Sequence, residues 1–269
     1  MDGMNIMKKK KLFLLDIDGT ICTGETLIEG AVDFLDEIRK RQGQFVFITN
    51  NSTKGCRDYI EKFRKLGIET DAQNFVTATT ATVRYLKKHY QGKMVYVMGT
   101  ESFLEELRKH NILFTTDHKN EDIACVLVAY DNEMTYQKIQ NTCEVLSTKE
   151  VDYLATNPDL VCPIDFGFIP DCGSICQMIE HATKKTPKYI GKPEIDMVDI
   201  ALSQNTFTKE ETLVVGDRLY TDIACGINAG VDTALVLTGE ATKEDTENTN
   251  YKPTYIYPTI TELYMNWNA

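Results

Sequence analysis

Two carboxylates set two positions apart, Asp16 and Asp18, follow a short apolar run near the start of this 269-residue chain. The run, Leu12 to Leu15, has the pattern of a strand that is buried on both faces of a parallel sheet. Ligands of such sheets gather just outside the carboxyl ends of the strands, where both carboxylates lie. An isolated Asp-x-Asp-Gly is equally well explained as a polar strand end with an Asx turn. Its function therefore depends on what accompanies it.

Three further candidate strands also end in polar side chains. Phe45 to Ile48 is followed by hydroxyls and amides, Tyr189 to Gly191 by an ammonium, and Thr212 to Gly216 by two more carboxylates. The side chains concerned are Thr49, Asn50, Asn51, Lys192, Asp217 and Asp222. Each has an ordinary explanation as an N-cap, turn or surface residue. Because all of them follow candidate strands, together they indicate a ligand site.

One chemistry uses all four groups. Asp16, Asp18 and Asp217 could hold a Mg²⁺ ion, which prefers oxygen ligands, and Lys192 would offset the remaining negative charge. Phosphoryl transfer needs an in-line nucleophile and neutralised phosphate oxygens. One carboxylate would attack phosphorus to form an acyl phosphate, and its neighbour would protonate the departing oxygen. We expect Asp222 to orient Lys192 and the loop, and not to bind the metal directly.

Composition argues against several other classes of protein. Forty acidic and 29 basic residues give a net charge of -11, which opposes broad binding to nucleic acid. Eight cysteines lack paired or zinc-ligand spacing, which favours a reducing compartment. The first eleven residues have no signal-peptide apolar core, and no later segment could span a bilayer. We therefore expect a cytoplasmic protein without membrane or nucleic-acid partners.

A second α/β unit is expected between the second and third polar strand ends. Helices are predicted over Ala78–His89, Glu101–His110 and Thr135–Ser147, and strands over Met94–Met98 and Ala124–Tyr130. No repeat or long Pro/Gly linker separates this unit from the rest of the chain. We therefore place its limits by the polar motifs that flank it.

The four polar segments resemble the motifs of the haloacid dehalogenase superfamily of phosphatases, and more narrowly of its NagD-like, p-nitrophenylphosphatase-like branch. The matching segments are Asp16 to Thr20, Thr49 to Ser52, Gly191 to Pro193 and Gly216 to Asp222. The resemblance runs through nearly the whole chain. It implies an α/β fold whose catalytic core, residues 1–77 plus 188–269, is a Rossmann-like doubly wound parallel sheet. An α/β cap domain for substrate specificity, residues 78–187, would be inserted in this core.

The resemblance also implies a role for each site residue. Asp16 would be the nucleophile and Asp18 the general acid and base, with Thr49 and Lys192 completing the catalytic set. The substrate ligands would be Thr49, Asn50, Asn51, Lys192 and, in the cap, Asn157. The cofactor would be Mg²⁺, held by Asp16, the backbone carbonyl of Asp18, and Asp217, with Asp222 behind them.

The cap departs from the family pattern at Asp171, within Pro170-Asp171-Cys172-Gly173-Ser174, where a small glycine is usual. An extra carboxylate near the boundary of cap and core would either alter which leaving groups are tolerated or face solvent. The departure leaves the four phosphate-site segments unchanged.

We therefore expect a Mg²⁺-dependent phosphomonoester hydrolase that acts on a small phosphorylated metabolite, a sugar phosphate or nucleoside monophosphate, through an aspartyl phosphate. Phosphotransferase or phosphomutase activity is an alternative. A non-catalytic regulatory protein that binds a phosphate ligand is another, which the intact Asp16 and Asp18 oppose. Hydrolytic dehalogenation would use Asp16 but has no use for Asp18 and a magnesium site. The physiological substrate and self-association through the cap stay open.

Overall fold

Six parallel strands form the first sheet of the computed structural model, which describes residues 7–164 and 166–268. In sheet order they are β15 (Tyr255–Tyr257), β14 (Asp232–Val236), β13 (Thr212–Gly216), β1 (Leu12–Leu15), β4 (Gln44–Thr49) and β5 (Phe75–Thr77). The chain runs outward from β1 in one direction through β4 and β5, and in the other through β13 to β15. This reversal of strand order is typical of a doubly wound sheet, and the expected fold class is confirmed.

Five parallel strands form the second sheet, in the order β12 (Lys188–Tyr189), β9 (Asp152–Ala155), β8 (Ile123–Val128), β6 (Met94–Met98) and β7 (Phe114–Thr115). Two hairpins are built from β2 (Cys22–Thr23) with β3 (Thr26–Leu27), and from β10 (Val161–Ile164) with β11 (Gly167–Pro170). In β12, Lys188 pairs with Leu154 of β9. The strand before Lys192 therefore lies in the second sheet, whereas the expected boundary at residue 188 placed it with the first.

Helices connect most of the strands. They are α1 (Ala31–Lys40), α2 (Cys56–Lys65), α3 (Ala78–His89), α4 (Glu101–Lys109), α5 (Tyr136–Thr148), α6 (Cys172–Thr183), α7 (Asp196–Ser203), α8 (Ala224–Ala229) and α9 (Ile260–Asn268). A 3₁₀ turn spans Ala72–Asn74 and a π-helical turn spans Leu219–Ile223. The helix expected over residues 78–89 has those bounds, the one expected over 101–110 ends one residue earlier, and the one expected over 135–147 begins and ends one residue later.

The apolar side chains of β1 point alternately to the two faces of the first sheet. Leu12 and Leu14 point to one face of β1, and the hydrophobic cluster on that face continues to Val97 and Leu127 of the second sheet. Phe13 and Leu15 point to the opposite face and belong to a separate cluster. This alternation explains why β1 is apolar at every position. One buried apolar cluster therefore connects the two sheets, and it includes helix residues such as Ala81 of α3 and Leu104 of α4.

Among the residues that the structure describes, no helix has the length and apolar character needed to cross a membrane. Of the first eleven residues, for which no signal peptide is expected, residues 1–6 lie outside the described part of the chain.

Candidate active site

Three neighbouring strands of the first sheet deliver the predicted polar side chains to one edge. In the register of β1, Leu15 pairs with Val215 of β13 and with Phe47 of β4. Because parallel strands run in the same direction, the segments that follow these residues emerge together. Asp16, Asp217 and Thr49 therefore meet at the carboxyl edge of the sheet.

Lys192 reaches this edge from the loop after β12, and its side chain is only 2 % exposed. Its Nζ donates hydrogen bonds to Asp16 Oδ1 at 2.6 Å, to Asp222 Oδ1 at 2.6 Å and to the Ile48 carbonyl at 2.9 Å. Burial alone would lower the pKa of Lys192, but the charges of Asp16 and Asp222 overcome it and the pKa is raised. The ammonium is therefore a permanent positive charge beside the predicted nucleophile.

Asp222 uses both carboxylate oxygens to hold the site together. Oδ1 accepts from Lys192, and Oδ2 accepts from the backbone N–H of Arg218 at 3.0 Å. These contacts suit a residue that orients Lys192 and the loop. That Asp222 does not bind the metal directly stays a prediction.

An acidic cluster lies beside the lysine. Asp16, Asp217 and Asp222 each offer an oxygen within 4.8 Å of the other two. Asp217 Oδ2 accepts from the Glu240 backbone N–H at 2.7 Å, whereas its Oδ1 is buried and has no hydrogen-bond partner among the described residues. Burial raises the pKa of Asp217 to about 7, with the charge of Asp222 adding to it. Burial likewise raises the pKa of Asp16, although Lys192 opposes the change.

These features make the cluster a good fit for a hard divalent cation. A buried carboxylate oxygen without a donor is costly, and a cation bound by oxygen ligands would remove that cost. Gly19 contributes to the fit, because it has a φ of +90° and a Cβ at this position would lie 2.7 Å from Asp217 Oδ2. Only a glycine combines that backbone conformation with so close an approach.

Asp18 lies outside this three-carboxylate cluster. Its Oδ1 is 3.6 Å from the Nζ of Lys62, a residue of α2. Asp18 nevertheless lines the same small cavity as Asp16. The structure thus brings the two carboxylates of the first motif to one cavity in different surroundings.

The cavity at this edge has a volume of about 30 Å³, room for about one water molecule. It is lined by Asp16, Asp18, Thr49, Asn50, Asn51, Asp159, Cys162, Pro163, Asp171, Lys192, Arg218, Thr221 and Asp222. A larger cleft of about 430 Å³ lies near Gly43 and Gln204 and contains none of the predicted site residues. The predicted chemistry is therefore gathered in a small cavity and not in this larger cleft.

Two residues of the expected cap, Asn157 and Asp171, lie in surroundings that the sequence alone did not predict. Asn157 is fully buried and does not line the cavity. Its Nδ2 donates to Asp159 Oδ2 at 2.8 Å and to Asp171 Oδ1 at 3.1 Å, so it holds two carboxylates, whereas we expected it to contact substrate. Asp171 is 4 % exposed and lines the cavity, so the alternative that it faces solvent is wrong.

Asp159 and Arg218 are site residues that sequence reasoning missed. The Arg218 guanidinium forms an ion pair with Asp159 and donates to the Val161 carbonyl at 3.1 Å. Asp159 also accepts from Asn50 Nδ2 at 2.6 Å. Arg218 directly follows Asp217 in the fourth motif, which could have drawn notice to it. No local sequence pattern indicated that Arg218 pairs with Asp159, which lies 59 positions away.

Comparisons with known proteins agree with this geometry. A family model described as haloacid dehalogenase-like hydrolase matches residues 13–113, and a second HAD-hydrolase-like model matches residues 189–263. An acid sugar phosphatase of Staphylococcus aureus is 34 % identical over 257 residues, covering 95 % of this chain and 97 % of the relative.

Solved structures are similar over the same extent. A 4-nitrophenylphosphatase from Thermotoga maritima superimposes with a TM-score of 0.88 at 34 % identity, covering 97 % of this chain and 98 % of that one. NagD from E. coli K-12 superimposes with a TM-score of 0.82 at 31 % identity, covering 94 % and 98 %.

Proposed function

The chain belongs to the haloacid dehalogenase-like hydrolases, in their NagD-like, p-nitrophenylphosphatase-like branch, and we propose that this phosphatase is a Mg²⁺-dependent phosphomonoester hydrolase of small phosphorylated metabolites. Sugar phosphates are the first substrate class to consider, because the S. aureus relative is named an acid sugar phosphatase. Nucleoside monophosphates are the second.

The observation that carries the proposal is the buried contact of Lys192 with Asp16. Lys192 Nζ donates to Oδ1 of Asp16 at 2.6 Å, which leaves Oδ2 as the oxygen that attacks phosphorus. The same ammonium balances part of the negative charge that an incoming phosphate brings. Thr49, which lines the cavity with Lys192, supplies a hydroxyl donor for a phosphate oxygen.

The reaction proceeds in two steps. Asp16 attacks phosphorus and forms an aspartyl phosphate, the bond from phosphorus to the alcohol oxygen breaks, and Asp18 gives its proton to that oxygen. Asp18 then takes a proton from water, which attacks phosphorus, and the bond to Asp16 breaks to release inorganic phosphate. Asp18 suits this exchange because it lies two positions from Asp16 and lines the same cavity.

Asp16 and Asp217 would hold the Mg²⁺ together with the backbone carbonyl of Asp18. The unpartnered Oδ1 of Asp217 supports this donor set. When bound, the ion neutralises negative charge on the phosphate oxygens and orients the ester for attack.

We also propose the division of the chain into a core, residues 1–77 plus 188–269, and a cap, residues 78–187, with β12 at this boundary pairing into the sheet of the cap. The cap contributes Asp159, Cys162 and Asp171 to the cavity, and these residues would contact the alcohol part of the substrate. The cytoplasm is the proposed location, and the eight free cysteines support it.

The experiment that tests this function compares the wild type with Asp16→Asn. Free phosphate and free alcohol are measured from p-nitrophenyl phosphate and from a panel of sugar phosphates and nucleoside monophosphates, with and without EDTA. We expect Asp16→Asn to release neither product, because an amide is a poor nucleophile. Circular dichroism confirms that the variant is folded.

Two further readouts separate the alternatives. Acid quenching of the wild type during turnover should leave one phosphoryl group on the peptide that contains Asp16. A release of alcohol in excess of phosphate would identify transfer to another acceptor. Near-normal activity of folded Asp16→Asn, or no turnover of any ester by the wild type, would refute the proposed function.

A further inference from the structure

Asp171 is a buried carboxylate with one oxygen left over. It caps the amino end of α6, where its Oδ1 accepts from the Cys172 backbone N–H at 2.5 Å and from Asn157 Nδ2 at 3.1 Å. Its Oδ2 accepts no hydrogen bond from the described residues and is not among the fully buried unpartnered atoms, so it is open to a ligand or water, although Asp171 as a whole is only 4 % exposed and lines the cavity that contains Asp16. The capping role therefore accounts for one of the two oxygens only.

Asp171 also differs from its neighbours in charge balance. The other carboxylates that line the cavity each have a cation within ion-pair distance: Lys192 serves Asp16 and Asp222, Lys62 serves Asp18, and Arg218 serves Asp159. Asp171 has no cationic partner among the described residues. A largely buried carboxylate without a cation therefore gains from a ligand that donates a hydrogen bond to its free oxygen.

We propose that Asp171 is a specificity-determining residue of this phosphatase, whose free oxygen accepts a hydrogen bond from a donor group on the alcohol part of the substrate. This inference rests on the proposed function and narrows it. The substrates would be phosphate esters whose alcohol carries a hydroxyl or an ammonium group, the two donors that a carboxylate oxygen recognises.

The proposed acceptor is the ionised carboxylate of Asp171. Burial raises its pKa to about 7, and the charge of Asp159 adds to the effect, so the substrate comparisons below are made above this pH. A site built to bond a substrate hydroxyl rejects the analogue without it, because the buried polar group is then left unpaired.

The test uses substrates that differ chiefly in donor groups. One series is ethyl, 2-hydroxyethyl and 2-aminoethyl phosphate, and its last two members distinguish a hydroxyl from an ammonium. A second pair is cyclohexylmethyl phosphate and glucose 6-phosphate, which share a six-membered ring. We expect the wild type to favour a donor-bearing ester over its donor-free counterpart by at least about tenfold in kcat/KM, in at least one series.

The variant Asp171→Asn should abolish this preference. Asparagine keeps one oxygen for the Cys172 N–H but places an amide NH₂ where Oδ2 stood, which donates and does not accept. The loss in kcat/KM with p-nitrophenyl phosphate, whose alcohol carries no donor, should be smaller than the loss with donor-bearing esters, since no hydrogen bond is lost there. Asp171→Ser, which keeps an N-cap oxygen and removes the carboxylate, provides a second variant if the first is unstable.

Thr135→Ala is the matched control. Thr135 caps α5 in the same unit, and its side chain accepts from the Lys138 N–H away from the cavity. Its loss should scale all substrates by one common factor. If Asp171→Asn and Asp171→Ser do the same, or if the wild type shows no preference in either series, the inference is overturned while turnover still supports the proposed function. Absence of turnover with every ester, p-nitrophenyl phosphate included, would instead overturn the function.

Discussion

Asp171→Asn should make the stability of this protein less dependent on pH, and the sign of the change follows from the burial of Asp171. Its pKa in the folded protein is about 7, against an ordinary value of 3.8, because burial and the charge of Asp159 disfavour the ionised form. Between these two values the folded chain binds more protons at Asp171 than the unfolded chain does. The free energy of unfolding therefore falls as the pH rises through this window, and the contribution is lost above about pH 7.

The magnitude follows from the two pKa values. A difference of one in pKa corresponds to about 1.4 kcal/mol, so the full effect of ionising Asp171 is on the order of 4 kcal/mol. Between about pH 5.5 and pH 8.5, the free energy of unfolding falls by roughly half of this amount, about 2 kcal/mol. This is a measurable share of the roughly 5–15 kcal/mol by which domains are stable.

Urea unfolding of the wild type and of Asp171→Asn at several pH values in this range measures the effect. EDTA is present throughout, so that metal binding does not contribute. The free energy of unfolding of the variant minus that of the wild type should rise by about 2 kcal/mol from the lowest to the highest pH. Glu150→Gln, which removes an exposed carboxylate of the second α/β unit, is the control and should give a flat difference. A flat or falling difference for Asp171→Asn would refute the reasoning.

Three further predictions concern the reaction. Asp18→Asn should slow hydrolysis of alkyl phosphates by roughly 100-fold or more but that of p-nitrophenyl phosphate far less, because a good leaving group needs little protonation; equal losses in kcat would argue against a general acid. EDTA should stop turnover and Mg²⁺ should restore it, while Ca²⁺ should bind but support little catalysis because its coordination is looser. Full activity after exhaustive chelation would contradict the role of Asp217 as a metal ligand. Gly239→Ala should raise the Mg²⁺ concentration for half-maximal activity by about 10-fold or more, since its Cβ would lie 1.9 Å from Asp217 Oδ2; an unchanged value would remove Asp217 from the metal site.

Local patterns in the sequence were sufficient to predict three strands of the first sheet, β1, β4 and β13, and the edge at which their polar ends meet. Apolar runs marked β1, β4 and β13, and each was followed by polar side chains. Because adjacent parallel strands share one carboxyl edge, the meeting of Asp16, Thr49 and Asp217 follows from strand pairing alone. The register of β1 with its two neighbours is the arrangement that this inference needs.

The same patterns were insufficient for Lys192. The sequence reveals the motif that contains Lys192, and the boundary at residue 188 predicts that the strand before it belongs to the first sheet. The observed two-residue strand pairs instead with β9 in the second sheet. So short a strand carries little periodicity, and its place is decided by the backbone partner that it meets. Lys192 reaches Asp16 all the same, because the loop after β12 returns to the carboxyl edge of the first sheet, where Lys192 Nζ donates to Asp16 Oδ1.

The sequence by itself determined which residues could carry phosphoryl chemistry, since nucleophile, acid, lysine and metal ligands lie in short motifs at strand ends. Only the tertiary structure decided what surrounds them. Arg218 pairs with Asp159 across 59 positions, and Asp171 is buried without a cation although it could equally have faced solvent. Burial and ion pairing depend on which distant segments pack together. That packing, and not the local sequence, placed Asp171 in the lining of the cavity with only one of its carboxylate oxygens hydrogen-bonded by the described residues.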